Sequence, residues 1–158
     1  MFRELIRKNK QLSEQDCVSL LQTEKRGVLS VIGDHGYPYG TPMNHYYCAE
    51  DGCIYFHCGN IGHRLEALQK ENKVSFVVYD SGVETEGHWA LTVKSVIVFG
   101  KISIIDDPEC IAEICTELSR KFIQDEAYIA EEIKNHGHRT LILRLVPEHI
   151  CGKSVLEA

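Results

Sequence analysis

The alternation of apolar and polar positions changes period repeatedly along the chain, and each change marks an element. Ser13 opens "SEQDCVSLLQTE", where a capping residue precedes acidic residues and Cys17, Leu20 and Leu21 share one face, the pattern of a short amphipathic helix. "RGVLSVIG" reads as a largely buried strand, and "DHGYPYG" as turn chemistry. "TPMNHYYCA" and "CIYFHC" read as two strands joined at "EDG", a hairpin signal. From Gly62 the spacing becomes helical, with Leu65 and Leu68 on one side, and it ends near Glu71 and Asn72. "KVSFVVYD" restores period two. After the polar "SGVETEG", the run "HWALTVKSVIVFGKISIID" exceeds an ordinary strand, so a bulge or bend is expected at Gly100. "DDPECIAEICTELSRKF" carries an Asp cap with Pro108 in its first turn. A second helical piece, "DEAYIAEEIKNHG", stops at Gly137, and "RTLILRLVPEHICGK" supplies one or two final strands.

Five to seven strands joined mostly by short turns, with a few helices between them, predict a mainly β chain with peripheral helices (α+β) built on an antiparallel, barrel-like sheet. At 158 residues the chain is expected to form a single domain, 1–158, burying roughly 70% of its unfolded surface. It shows no repeat, low-complexity tract or linker. Hydrophobic content of 44% with 25% charge is globular, and no apolar run approaches the ~20 residues of a membrane span. "MFRELIRKNKQL" carries charges where a signal peptide needs an apolar stretch, so a cytoplasmic location is expected. Seven cysteines without a CxxC pair fit reduced thiols better than a disulfide framework; Cys17, Cys110 and Cys115 fall in helical patterns as small core residues. A net charge of -6 argues against a general nucleic-acid surface. An anionic ligand must then be held by a local positive site.

"YFHCGNIGHRLEAL" is the stretch richest in chemistry. Cys48, Cys53, His57, Cys58 and His63 are a pool of soft metal ligands, but neighbouring strand residues face opposite sides of a sheet and the structural-zinc spacing is missing, which argues against a metal. A phosphate cradle needs a glycine turn leading into a helix N-terminus, with cationic side chains aimed there. Gly59 and Gly62 permit close backbone approach, and His63 and Arg64 fall in the first helical turn, a poor place for cations unless an anion sits between them. As a bare pattern this does not separate a cradle from an ordinary surface turn.

Taken together, "GYPYGTPMNHYY", "IYFHCGNIGHRLEAL", "KSVIVFGKI", "RTLILRL" and "EHICGK" resemble the nitroimidazole-resistance proteins of the pyridoxamine 5'-phosphate oxidase-like superfamily, in order and spacing over nearly the whole chain. That resemblance implies an FMN-binding split β-barrel with the flavin at a homodimer interface. It implies that Thr41, Pro42, Met43, Asn44, His45 and Tyr46 line the ring, that Phe56, His57, Cys58 and Gly59 approach it from the next strand, that His63 and Arg64 take the phosphate, and that Lys94 and Ser95 contribute from the long strand. Two departures stand out. Position 63 is a histidine where the oxidases carry a second basic residue, which makes its charge pH-dependent, and "EHICGKSVLEA" lacks the oxidases' C-terminal tryptophan and arginine region.

The function expected is an FMN-dependent oxidoreductase that reduces a nitro group toward the amine, fed by a donor such as a nicotinamide, with His57 or His63 supplying a proton. Two alternatives stay open: a non-enzymatic flavin-binding redox module, and an oxidase-like enzyme with a different substrate. Among other residues, His88 and Trp89 are a flap over the flavin or, more simply, half-buried packing at a strand start. Cys58 reads as a buried structural thiol, His136 and His138 as solvated residues around a helix end, and the tyrosines at 37, 39, 46, 47 and 55 as sheet packing.

Overall fold

The computed structural model describes residues 1–87 and 89–157, so His88 of the candidate flap lies outside the described residues. Ser13 Oγ accepts the Asp16 N–H at 3.1 Å and starts α1 (Glu14–Thr23), which buries Cys17, Leu20 and Leu21. The strands follow as β1 (Arg26–Ile32), β2 (Pro38–Asn44), β3 (Tyr46–Tyr47) and β4 (Ile54–Gly59). Helix α2 (His63–Lys70) leads to β5 (Lys73–Tyr79), β6 (Val83–Glu84) and β7 (Leu91–Ile105). Helices α3 (Pro108–Arg120) and α4 (Glu126–His136), capped by Asp107 and Asp125, precede β8 (Thr140–Leu156).

Among the described residues these eight strands form one antiparallel sheet in the order β2-β1-β5-β7-β8-β4-β3, with β6 added on β7. The sheet curls into a half-barrel, so that β2 and β4 approach each other across an open seam. Phe56, Phe76, Leu29, Val96, Val98, Leu143 and Leu145 fill its interior, under α1 and α2. A second cluster, Cys53, Tyr55, Ile111, Ile114 and Ile142, lies between α3 and the outer face of β4 and β8, with Cys110 and Cys115 partly buried against it. No helix among the described residues is long and apolar enough to cross a membrane.

The strand count exceeds the expected five to seven for local reasons. The turn "DHGYPYG" ends early and its last residues already pair, because Pro38 to Asn44 run in register with Ile32 to Arg26. The polar "SGVETEG" contributes β6, and the C-terminal run is one strand of 17 residues. Between β2 and β3 the ladder is interrupted at His45. Its ring is 0% exposed, with Nε2 2.7 Å from the Leu21 carbonyl oxygen and an edge against Phe76. Lys121 Nζ donates to the His45 carbonyl at 2.9 Å and to the Glu24 carbonyl at 2.7 Å, tying the end of α3 to this corner. Gly100 is the expected bulge: the β7–β8 register shifts between Phe99 and Gly100. A Cβ there would press on the Val146 carbonyl and lie 2.9 Å from Leu145 Cδ1.

Two expectations follow. Gly100→Ala should destabilise by about 1 to 3 kcal/mol, read from the urea midpoint, because backbone on the facing strand must move. Burial, and then the Lys121 charge, lower the His45 pKa to about 4 against the opposing bond to Leu21. The unfolded imidazole therefore takes up its proton first, and the stability fully present above pH 6.5 falls by on the order of 3 kcal/mol as pH drops from 6.5 to 4. A His45→Gln variant, compared with the parent by urea denaturation at each pH, should lose less stability over that window.

Candidate functional site

The seam between β2 and β4 is where the chain changes from strand to helix. β4 ends at Gly59, and Gly62 takes φ +134, a conformation costly for any residue with a Cβ. Gly62 is the cap of α2 without a side-chain bond of its own, and the first intrahelical bonds come from the Leu65 and Glu66 amides to its carbonyl, at 3.0 and 3.2 Å. The amides of His63 and Arg64 precede those bonds and face the turn. A Cβ at Gly59 or Gly62 would meet nothing within 4 Å, so this side of the turn is open.

Arg64 reaches from α2 across the seam. Its Nη1 donates to Thr41 Oγ1 at 2.7 Å and touches Met43 Sδ at 2.9 Å, while its buried Nε has no partner among the described residues. A buried guanidinium N–H without an acceptor is costly, which makes it a mark of a ligand position. His63 lies beside it, its ring against Tyr39 at 4.4 Å and its Nε2 3.5 Å from Asp34 Oδ2; Lys70 Nζ stands 3.6 Å from Asp34 Oδ1. Asp34 and Lys70 were not singled out in the sequence, and Tyr39 was read there as sheet packing. The sevenfold spacing from His63 to Lys70, which puts both on one helix face, is the signal that could have found Lys70.

Strand alternation divides the other expected residues. Thr41 and Met43 face the seam, whereas Asn44 Oδ1 accepts Arg26 Nε at 2.8 Å and Pro42 borders a separate cleft of about 610 Å³ with Arg26, Val28 and Tyr79. The side chains of His45, Phe56 and Cys58 are turned into the core, and Met43 is also largely buried there. Burial raises the Cys58 pKa against the opposing Arg64 charge, as suits a structural thiol. Tyr46 faces α3, lining a cleft with Tyr47, Glu117 and Lys121. Lys94 and Ser95 lie on β7, separated from β2 by β1 and β5 in the sheet.

His57 projects from the outer face of β4 into a cleft of about 140 Å³ between α3 and α4, with Ser119, Glu132, His136 and Thr140. Partial burial against those walls, and secondarily the Arg64 charge, hold its pKa below the ordinary value. Trp89, read as half-buried packing, is instead 85% exposed. Among the described residues no group of three or more His, Cys, Asp or Glu side chains is gathered as a metal site.

Comparison with known proteins places this geometry. The family profile described as pyridoxamine 5'-phosphate oxidase matches residues 13–154. No curated protein sequence matches significantly. The fold is similar to that of a protein from Bacteroides thetaiotaomicron provisionally described as a 5-nitroimidazole antibiotic resistance protein, with a TM-score of 0.76 at 20% identity over 91% of this chain and 86% of that one. It is similar to a conserved hypothetical protein from Mycobacterium tuberculosis, TM-score 0.79 at 18% identity, covering 95% and 90% of the two chains. It is also similar to an FAD binding protein from Mycobacterium smegmatis, TM-score 0.63 at 21% identity, covering 92% and 98%.

If the open turn and the unpartnered Arg64 Nε form an anion site, inorganic phosphate at about 100 times its dissociation constant should stabilise the protein by about 2.7 kcal/mol, seen as a rise in Tm. Arg64→Met should abolish most of that rise; an equal rise in the variant would place the anion elsewhere.

Proposed function

Since the chain belongs to the pyridoxamine 5'-phosphate oxidase family, we propose that it is a flavin-dependent oxidoreductase that holds FMN at the β2–β4 seam and reduces nitro compounds with electrons from a nicotinamide donor. The observation that carries this reading is the partnerless Arg64 Nε beside an open glycine turn at a helix N-terminus, a donor set that fits a terminal phosphate. Arg64 and the first amides of α2 would hold the phosphate, with His63 against Tyr39 at its side. Thr41 keeps the guanidinium aimed across the seam. The flavin, when bound, supplies the two-electron chemistry.

A homodimer completes the site in this reading. Lys94 and Ser95, two strands away from β2 in the sheet, would come from the second copy, and Tyr37 at 74% and Ile61 at 87% exposure flank the seam as apolar surface for it to cover. Nitro reduction is supported by the likeness to the Bacteroides thetaiotaomicron protein and by the His63 imidazole beside the seam. Taking a nitro group to the nitroso stage consumes two electrons and two protons and releases water, and charge builds on the nitro oxygens as the electrons arrive. An imidazole within reach of the nitro group would meet that charge with an N–H hydrogen bond, and its capacity to give up a proton would grow as pH falls.

The protein should retain FMN through a desalting column, and Arg64→Ala should lose most of it, because a charge-assisted bond to phosphate is worth about 1.5 to 3 kcal/mol. Pre-reduced, flavin-saturated protein mixed with a nitroimidazole should oxidise in a single turnover. His57→Ala and His63→Gln are then compared, and the variant lacking the proton donor should slow by ~10²- to 10⁴-fold with flavin still bound. Retained flavin with no reaction toward nitro compounds would leave a flavin-binding protein of other purpose, and failure to retain flavin would remove the reading altogether.

A further inference from the structure

The β3–β4 hairpin carries a pair of cysteines that the seam site does not use. Tyr46 pairs with Tyr55 and Tyr47 with Ile54, so the next step of the ladder sets Cys48 opposite Cys53, and the Cys48 N–H donates to the Cys53 carbonyl at 2.9 Å. Directly opposed antiparallel residues share one face, with Cβ atoms roughly 4.5 to 5.5 Å apart. A disulfide needs roughly 3.5 to 4.5 Å, so a small closure of the hairpin end is enough. Ala49, Glu50 and Asp51 at the hairpin end are exposed, and Gly52 turns the chain there at φ +69.

The two positions are unequally held. Cys53 is buried, its N–H bonded to Asp51 Oδ1 at 2.9 Å and its Sγ 3.7 Å from the Asp51 carbonyl. Arg144 Nε stands 3.4 Å from the same sulfur, with Arg144 Nη2 3.7 Å from Asp51 Oδ2, which also accepts the Tyr55 hydroxyl at 2.5 Å. Cys48 is half-exposed on the edge strand. The Cys53 thiol is thus held by Asp51 and Arg144, whereas the half-exposed Cys48 thiol lies beside the Tyr46 and Asp51 side chains with one side toward solvent.

We propose that Cys48 and Cys53 form a redox-active dithiol that closes to a cross-strand disulfide when the protein meets a hydroperoxide. Cys48, as thiolate, attacks the peroxide oxygen; the O–O bond breaks, an S–O bond forms, and the departing oxygen leaves as water or an alcohol after taking a proton. Cys53 Sγ then attacks the Cys48 sulfur, the S–O bond breaks, and the oxygen departs as water with the proton lost from Cys53. Two electrons leave the sulfurs and reduce one hydroperoxide. The Arg144 guanidinium gives the charge that builds on Cys53 a positive neighbour. Cys110 on the facing helix is a poorer partner, its thiol held protonated by burial and by Asp107 and Glu113, and Cys58 on β4 is turned to the opposite face. The edge strand β3, only two residues long, would become covalently joined to β4.

The test treats the purified full-length chain with one equivalent of hydrogen peroxide, alkylates the remaining thiols in denaturant and cleaves before Asp51, which separates Cys48 from Cys53. Two of the seven thiols should be lost, the two fragments should remain joined until dithiothreitol is added, and Cys48→Ser should abolish the joined species. A disulfide between other cysteines, or Cys48 oxidised without a link to Cys53, overturns the proposal. Should Cys48→Ser fold poorly, the linkage map of the wild-type chain decides alone. The added peroxide makes the outcome independent of whether the seam holds a flavin.

Discussion

The ladder between β7 and β8 runs through strands of 15 and 17 residues and turns at Gly100, where the facing backbone comes too close for a Cβ, and from this bend the position of both halves of the sheet follows. On one side of the ribbon β5, β1 and β2 are added in turn; on the other, β4 and β3. A flat ribbon would leave β2 and β4 far apart. Curled, it brings β2 and β4 together at a seam, where the buried Arg64 Nε has no partner among the described residues. The candidate site is therefore a consequence of incomplete closure, with a helix start and an arginine set into the gap.

Charge at the seam runs against the rest of the molecule. The chain carries a net -6, yet Arg64, Lys70 and His63 gather around the turn, with Asp34 the one carboxylate paired with them among the described residues. Helix starts favour anions, so two basic residues at the first positions of α2 are tolerated only at a cost that an occupying anion would reverse. Thr41 offsets part of that cost by accepting one guanidinium N–H, and the remaining Nε is left without an acceptor.

Much of this was legible in the sequence because it is local. Capping by Ser13 and Asp107, the hairpin at "EDG", the bulge at Gly100 and the cationic turn before α2 are each specified by a few neighbouring residues. What escaped is non-local. The family resemblance implied that Thr41 to Tyr46 line a ligand along one strand, but His45 is drawn inward by a carbonyl 24 residues earlier and interrupts the strand. The approach of Asp34 to His63 and the distance of Lys94 from Arg64 depend on how the sheet curls, which no short window of sequence records.

Strand β4 concentrates these consequences in six residues. Its inward positions, Ile54, Phe56 and Cys58, are sealed in the core, and burial keeps that thiol protonated and unreactive. Its outward positions, Tyr55 and His57, continue from Cys53 along the face covered by α3, where an aspartate, an arginine and a small cleft leave polar groups within reach of solvent. Two cysteines five residues apart thus differ in chemistry for a purely geometric reason: Cys53, just before the strand, has Arg144 against its sulfur and Cys48 across the ladder, while Cys58 has only apolar neighbours and one distant positive charge. The pleat that builds the core also decides which side chains on this strand remain available for reaction.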